Sequence, residues 1–200
     1  IVLMNNYTKQ EKWDYTYSIP IHRACNQTVG VIGLGRIGRN FATKAHALGY
    51  NIIGYDPYFK ESDDTKFITI KSLDELISSA DIISLHIPAE GNQNLFNKET
   101  FKKMKNNAII INVARGGIIN EDDLYDALNS KEIAGAAIDC VCKEPMLPKH
   151  KLFTLDNYIA TPHMAWYSEE ASQELKRKVA EECVNFLKHS FVRYPINHLK

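Results

Sequence analysis

No surplus of charge of either sign marks this chain. Its 24 Lys and Arg are matched by 24 Asp and Glu, so the formal net charge is zero. That balance gives no electrostatic ground for nucleic acid or an anionic membrane as partner. Long apolar runs are missing too: nothing approaches the roughly 20 residues of a membrane span. No basic-then-apolar leader opens the sequence, and a cytoplasmic location is expected. Cysteine is sparse, with four scattered residues, Cys25, Cys140, Cys142 and Cys183. Cys140 and Cys142 form C-x-C, too close for the two-residue spacer of a common zinc or redox pair. No metal is expected, and all four read as reduced thiols. Position 1 holds Ile rather than Met, inside a polar, helix-like stretch. We therefore expect a piece of a longer polypeptide. Internal repeats and low-complexity segments are also lacking.

What is present is an ordinary globular composition, 44% hydrophobic over 200 residues, enough for one large domain with a sizeable core. Residues 1–23 carry Tyr7, Trp13, Tyr15 and Tyr17 without a clean period. They read as an arm or connecting helix ended by Ser18-Ile19-Pro20. From Thr28 a regular pattern begins. Short apolar bursts occur at 29–32, 52–55, 82–85, 108–113, 133–138 and 158–160. They are rich in Ile, Val or Ala and mostly do not alternate, as expected of parallel strands buried on both faces.

Helical patterns lie between the bursts. Phe41, Ala45 and Leu48 share a face, with Gly49 as a stop. Ser72 and Glu75 have the spacing of a capping box. Asn97 can cap a helix holding Phe101 and Met104, and Asn120 one holding Leu124 and Leu128. Ser168 opens the longest helix, with Ala171, Leu175, Val179, Cys183 and Phe186 in a stripe. Strand and helix alternating this way predict a doubly wound α/β sheet of the Rossmann type.

Gly33-Leu-Gly35-Arg36-Ile37-Gly38 is a G-x-G-x-x-G motif. A bare match is weak; this one follows a strand burst and opens a helix. In that context Gly33 allows a tight turn, Gly35 lets backbone approach a pyrophosphate, and Gly38 lets helix pack on strand. The helix N-terminus, with Arg36 and Ile37, then faces the phosphates. Asp56 ends the next burst, where a carboxylate accepts from the adenosine ribose hydroxyls. Its charge disfavours a 2′-phosphate, so NAD rather than NADP is expected. The competing reading makes the glycines packing residues and Asp56 a solvated turn residue before Pro57.

Ligands of open parallel sheets sit beyond the carboxyl ends of the strands. The remaining bursts run into His86-Ile87-Pro88, Ala114-Arg115-Gly116-Gly117, Asp139 and Thr161-Pro162-His163, with Glu144 shortly after Asp139. An Arg, a His and two carboxylates thus reach one edge from separate segments. Singly, Arg115, Glu144 and His163 could each be a solvated surface or turn residue. Their joint arrival at one edge argues for a site.

The stretches VGVIGLGRIGRNFATKAHALGYNIIGYDPY, ISLHIPAEGNQNLFNKETFKKMKNNAIIINVARGGIINEDDLYDAL, GAAIDCVCKEP and LFTLDNYIATPHMAW resemble the D-isomer-specific 2-hydroxyacid dehydrogenases in the family's own order. The TPHMAWYSEEAS segment looks most like the C-terminal-binding-protein branch of NAD-sensing corepressors. The resemblance implies a catalytic Arg115, Glu144 and His163. Arg115 would clamp the substrate carboxylate, and His163 would exchange the proton of the 2-hydroxyl. Glu144 would orient the imidazole and favour its charged form. It also implies cofactor contacts by Asp139, near the nicotinamide ribose and carboxamide, within a cofactor set of Gly33, Gly35, Arg36, Ile37, Gly38, Asp56, His86, Ile87, Pro88, Ala114, Arg115, Asp139 and His163. Trp166 matches a branch position bordering the substrate, beside Arg115 and His163; a buried packing Trp is the other reading.

The expected organisation is an interdomain arm over 1–25, an NAD-binding domain over 26–190, and 191–200 as the start of a return to a substrate domain. Most of that substrate domain is absent from this chain. The leading expectation is an NAD-dependent oxidoreductase acting on small 2-hydroxy or 2-oxo acids. The family further implies a homodimer formed through this domain. The alternative is an NAD-sensing interaction protein of the corepressor type, from which the catalytic trio alone does not separate it.

Overall fold

The computed structural model describes residues 2–193 and 195. It divides into two compact units, Ile1–Pro162 and His163–Lys200. In the first, the strands β1 (Thr28–Ile32), β2 (Asn51–Tyr55), β3 (Thr69–Ile70), β4 (Ile82–Leu85), β5 (Ile109–Asn112), β6 (Gly135–Ile138) and β7 (Tyr158–Ala160) form one sheet. Every pairing is parallel, in the order β3-β2-β1-β4-β5-β6-β7. This is the doubly wound arrangement expected from the sequence. The chain winds outward from β1 to β3, then returns to β4 on the other side of β1. Loops leaving β1 and β4 therefore diverge and open a crevice at their carboxyl ends.

The helices are α1 (Val2–Lys9), α2 (Arg36–Ala47), α3 (Leu73–Ser79), α4 (Lys98–Lys103), α5 (Glu121–Asn129) and, in the second unit, α6 (Glu169–His189). Their starts follow the caps read from the sequence. Ser72 and Glu75 form both bonds of a capping box. The side chains of Asn97, Asn120 and Ser168 accept from the first free amides of α4, α5 and α6. Each such cap satisfies donors that the helix itself leaves orphaned, contributing about 1 kcal/mol.

Two apolar clusters hold the sheet between its helices. Val29, Val31 and Ile52 pack with Ala42 and Ala45 of α2. Ile32, Ile83, Leu85 and Ile110 pack with residues of α3, α4 and α5, among them Leu76, Phe101 and Leu124. Burying each large side chain contributes about 1.5–3 kcal/mol. Neighbouring residues of one strand thus enter different clusters, which is why the bursts do not alternate with polar residues.

Several local expectations are corrected. Leu48 is 72% exposed, because α2 ends at Ala47 and buries the small residues Gly38, Ala42 and Ala45 instead. Small side chains let that helix lie close to the sheet. Met104 ends α4 as its C-cap, and Ile133 is fully buried in the turn before β6. β3 has only two residues, both exposed, too few to register as an apolar burst. In α6, Leu175, Val179 and Phe186 are exposed. No helix among the described residues is long and apolar enough to cross a membrane. Of the return segment expected over 191–200, residues 194 and 196–200 lie outside the described residues.

Candidate cofactor and active site

The glycine-rich turn sits between β1 and α2, as its motif requires. Gly33 has φ +92°, and a Cβ there would lie 2.6 Å from the His86 carbonyl oxygen. Only glycine tolerates both the left-handed backbone and that approach. A Cβ on Gly38 would meet the Gly33 carbonyl oxygen at 1.9 Å, so α2 packs against the turn only with glycine here. Gly35, the N-cap of α2, differs: a Cβ there would meet nothing within 4 Å. The backbone beside it faces open space at the positive end of a helix, a fit for a pyrophosphate.

Asp56 follows β2 and is held on both oxygens. Oδ2 accepts from the Leu34 amide and Oδ1 from the Tyr58 amide, each at 2.8 Å. The carboxylate is thus fixed against the glycine turn.

A cavity of about 510 Å³ opens beside the turn, lined by Ile37, His86, Ile87, Pro88, Ala89, Glu90, Val113, Ala114 and Arg115. Six residues singled out in the sequence therefore meet in one cleft: Ile37 from α2, His86 to Pro88 after β4, and Ala114 and Arg115 after β5. Ala89, Glu90 and Val113 complete the lining and were not anticipated. His86 is largely buried; burial pushes its pKa down to about 4, so the ring is neutral at neutral pH. Its Nε2 lies 3.0 Å from Ser84 Oγ, and its ring packs on Phe41 of α2. The part of the wall formed by Ile37, His86, Ile87, Pro88 and Ala114 carries no charge and suits an aromatic or sugar surface, with Glu90 and Arg115 as its charged members.

At the end of β5, Arg115 is exposed, with Nη1 donating to the Ala114 carbonyl at 2.7 Å. Beyond β6, Asp139 is buried, and Oδ1 accepts from Thr161 Oγ1 at 2.6 Å. Thr161, just past the end of β7, thereby holds the Asp139 carboxylate in place. Cys140 is buried beside it, its thiol pushed up to about 11, first by burial and then by the charges of Asp139 and Glu144. It therefore stays a neutral thiol. In the following loop Glu144 Oε1 accepts from the Val141 amide at 3.2 Å.

The second unit begins at His163, which has φ +52°. A non-glycine residue in the left-handed region is uncommon, and such strain concentrates at functional positions. The His163 carbonyl accepts from Trp166 Nε1 at 3.0 Å. Trp166 is 53% exposed, which does not match a buried packing role.

Asn112 escaped the sequence reading. It is a lone polar residue within an apolar burst, and that is the signal that would have found it.

The D-isomer specific 2-hydroxyacid dehydrogenase NAD binding domain matches residues 1–165. The D-3-phosphoglycerate dehydrogenase of Archaeoglobus fulgidus is 38% identical over 191 residues, covering 94% of this chain and 36% of that protein. The hydroxypyruvate reductase of Blautia hydrogenotrophica is 37% identical over 186 residues, covering 92% of this chain and 55% of that protein. Among solved structures, D-lactate dehydrogenase with NAD+ from Lactobacillus jensenii superposes with a TM-score of 0.87 at 27% identity, covering 98% of this chain and 64% of that one. The chain thus spans between about a third and just over half the length of these curated relatives. It belongs to the D-isomer specific 2-hydroxyacid dehydrogenase family, as that family's NAD binding domain.

Proposed function

We propose that this chain is the cofactor-holding part of an enzyme that moves a hydride between NAD(H) and a D-2-hydroxy acid/2-oxo acid pair. The observation that carries the reading is the cleft at the point where strand order reverses. It brings Ile37, in the first turn of the helix that Gly35 caps, together with His86 and Arg115. Bound there, the nicotinamide ring would supply the hydride acceptor or donor; the protein supplies orientation and proton transfer. Gly33, Gly35, Arg36 and Gly38 hold the pyrophosphate, Asp56 the adenosine ribose, and Asp139 the nicotinamide end. His86, Ile87, Pro88 and Ala114 line the cofactor's path.

For the substrate, Arg115 clamps the carboxylate and fixes C2 against the nicotinamide. His163 takes the hydroxyl proton in oxidation and returns it in reduction. Glu144 completes the proposed catalytic trio, and Trp166 borders the substrate. The exposed aromatics of the arm, with Trp13 88% and Tyr15 77% exposed, suit a covered surface, and we assign them to a homodimer contact. The free cysteines, three of them exposed at Cys25, Cys142 and Cys183, fit a reducing cytoplasm. The corepressor alternative is not favoured, because the relatives are named for metabolic dehydrogenase and reductase activities.

Calorimetry of this chain with NADH tests the cofactor half, and a panel of 2-oxo acids assayed with NADH on the parent protein tests the catalytic half. Binding in the first and turnover in the second are expected. No heat at millimolar NADH would sink the cleft assignment. Cofactor binding by a parent protein that reduces no 2-oxo acid would remove the enzymatic reading alone.

A further inference from the structure

The strand β5 ends at Asn112, and the chain then turns away to present Arg115. Beyond a strand end the backbone groups lose their sheet partners, and each must find another or be hydrated. The Asn112 side chain is 1% exposed, and its carboxamide supplies those partners on the spot. Oδ1 accepts from the Ala114 amide at 3.1 Å, and Nδ2 donates to the Arg115 carbonyl at 2.9 Å. The Asn112 backbone carbonyl meanwhile accepts from the Asp139 amide at 2.9 Å. One residue therefore fastens the Arg115 turn through its side chain and the Asp139 strand end through its backbone.

The far side of the turn is closely confined. A Cβ on Gly116 would lie 2.0 Å from the Val141 carbonyl oxygen, so the turn runs against the loop after β6. The Gly117 carbonyl accepts from the Asn94 amide at 2.8 Å. Among the described residues no carboxylate holds the Arg115 guanidinium; its Nη1 rests on the Ala114 carbonyl. Its placement therefore depends on the backbone of Ala114 and Arg115, the two residues Asn112 grips.

We infer that Asn112 is the positioning residue for Arg115, acting on the 2-oxo acid through the placement of that guanidinium and the spacing to Asp139. The inference rests on the proposed role of Arg115 as carboxylate anchor. Asparagine suits the task better than its isosteres. Aspartate offers no donor to the Arg115 carbonyl when ionised, and leucine removes the side-chain partners of the Ala114 amide and Arg115 carbonyl altogether.

The test is a double-mutant cycle in the full-length parent enzyme with Asn112→Ser, Arg115→Lys and both together. KM and kcat for the 2-oxo acid are read beside the NADH dissociation constant. Serine keeps a short acceptor for the Ala114 amide but cannot reach the Arg115 carbonyl. Asn112→Ser should lower kcat/KM about 10–100-fold, the scale of an anchor misplaced by about 1 Å, with a smaller change in NADH affinity. In the Arg115→Lys background the same substitution should add little, because residues acting through one another are not additive. Full multiplication of the two losses would overturn the inference, since Asn112 would then act independently of Arg115. Equal losses in NADH affinity and kcat/KM would overturn it too, marking a general structural role. If Arg115→Lys alone leaves KM and kcat unchanged, the anchor reading fails first and takes the inference with it. Should Asn112→Ser not fold, Asn112→Asp enters the same cycle with the same outcomes.

Discussion

Asp56 reaches back from the end of β2 to the glycine turn, its Oδ2 accepting from the Leu34 amide at 2.8 Å. One carboxylate therefore shapes the turn and stands where a ribose hydroxyl would seek an acceptor. Asp56→Asn separates these two tasks. The amide oxygen can still accept from Leu34 and keep the glycine turn, while the Tyr58 amide loses its acceptor and the negative charge is gone. The ratio of NADP to NAD dissociation constants should fall by about fivefold to tenfold, the scale of one partly screened charge pair at close range. Paired titrations with the two cofactors measure it. An unchanged ratio would mean that Asp56 is a turn residue only.

Asp81 supports a prediction about stability. It accepts from the Thr28 amide at 2.8 Å and from Lys105 Nζ at 2.8 Å, tying the starts of β1 and β4 to the turn before β5. Burial works to raise its carboxyl pKa. The Lys105 hydrogen bond, the Thr28 amide and the Lys105 charge outweigh burial and hold it below the ordinary value. A depressed folded-state pKa contributes stability above the unfolded value of about 4, and that contribution is lost as pH falls through the folded value. Asp81→Asn should therefore cost about 1 kcal/mol at pH 7, discounted for the partial exposure of Lys105. The difference should vanish in strong acid. Urea melts of both proteins across pH 2–7 check it, and a gap independent of pH would exclude the charge as its source.

The arm offers an association test. Replacing Trp13 and Tyr15 by Ser removes two large exposed aromatics without touching the sheet or the cleft. If they meet a second copy, the double variant should sediment as a monomer at concentrations where the parent chain is dimeric, with NADH affinity retained. Identical sedimentation of the two would clear the arm of any part in association.

His163 offers a test of the proposed proton transfer in the parent protein. His163→Asn removes the proposed proton donor, so turnover of the 2-oxo acid should fall by about 10²–10⁴-fold. Steady-state assays of both proteins measure it. Turnover within about tenfold of the parent would dismiss His163 as the acid–base residue while leaving the cofactor assignment standing.

The sequence by itself determined what depends on local chemistry. A run such as Ile82–Leu85 is a strand because it carries apolar residues on both faces, and Asn120 followed by acidic residues starts a helix wherever it falls. The glycine motif was legible for the same reason, since its turn, helix start and close approach occur within Gly33–Gly38. Strand ends can be read directly, so the sequence alone places His86 and Arg115 at the carboxyl edge of the sheet. Only the tertiary structure decided which neighbours those ends acquire. Leu48 lost its place because α2 packs through small residues, a matter of distance to the sheet rather than of period. The Asp56 grip on Leu34 and the Thr161 bond to Asp139 join residues 22 positions apart in each case, and no local pattern encodes either pair. Asn112 lies within three residues of its side-chain partners, yet its role depends on β5 ending there with β6 alongside. Hydrogen-bond partners beyond a strand end are set by where the chain stops pairing, and pairing is a property of the folded sheet.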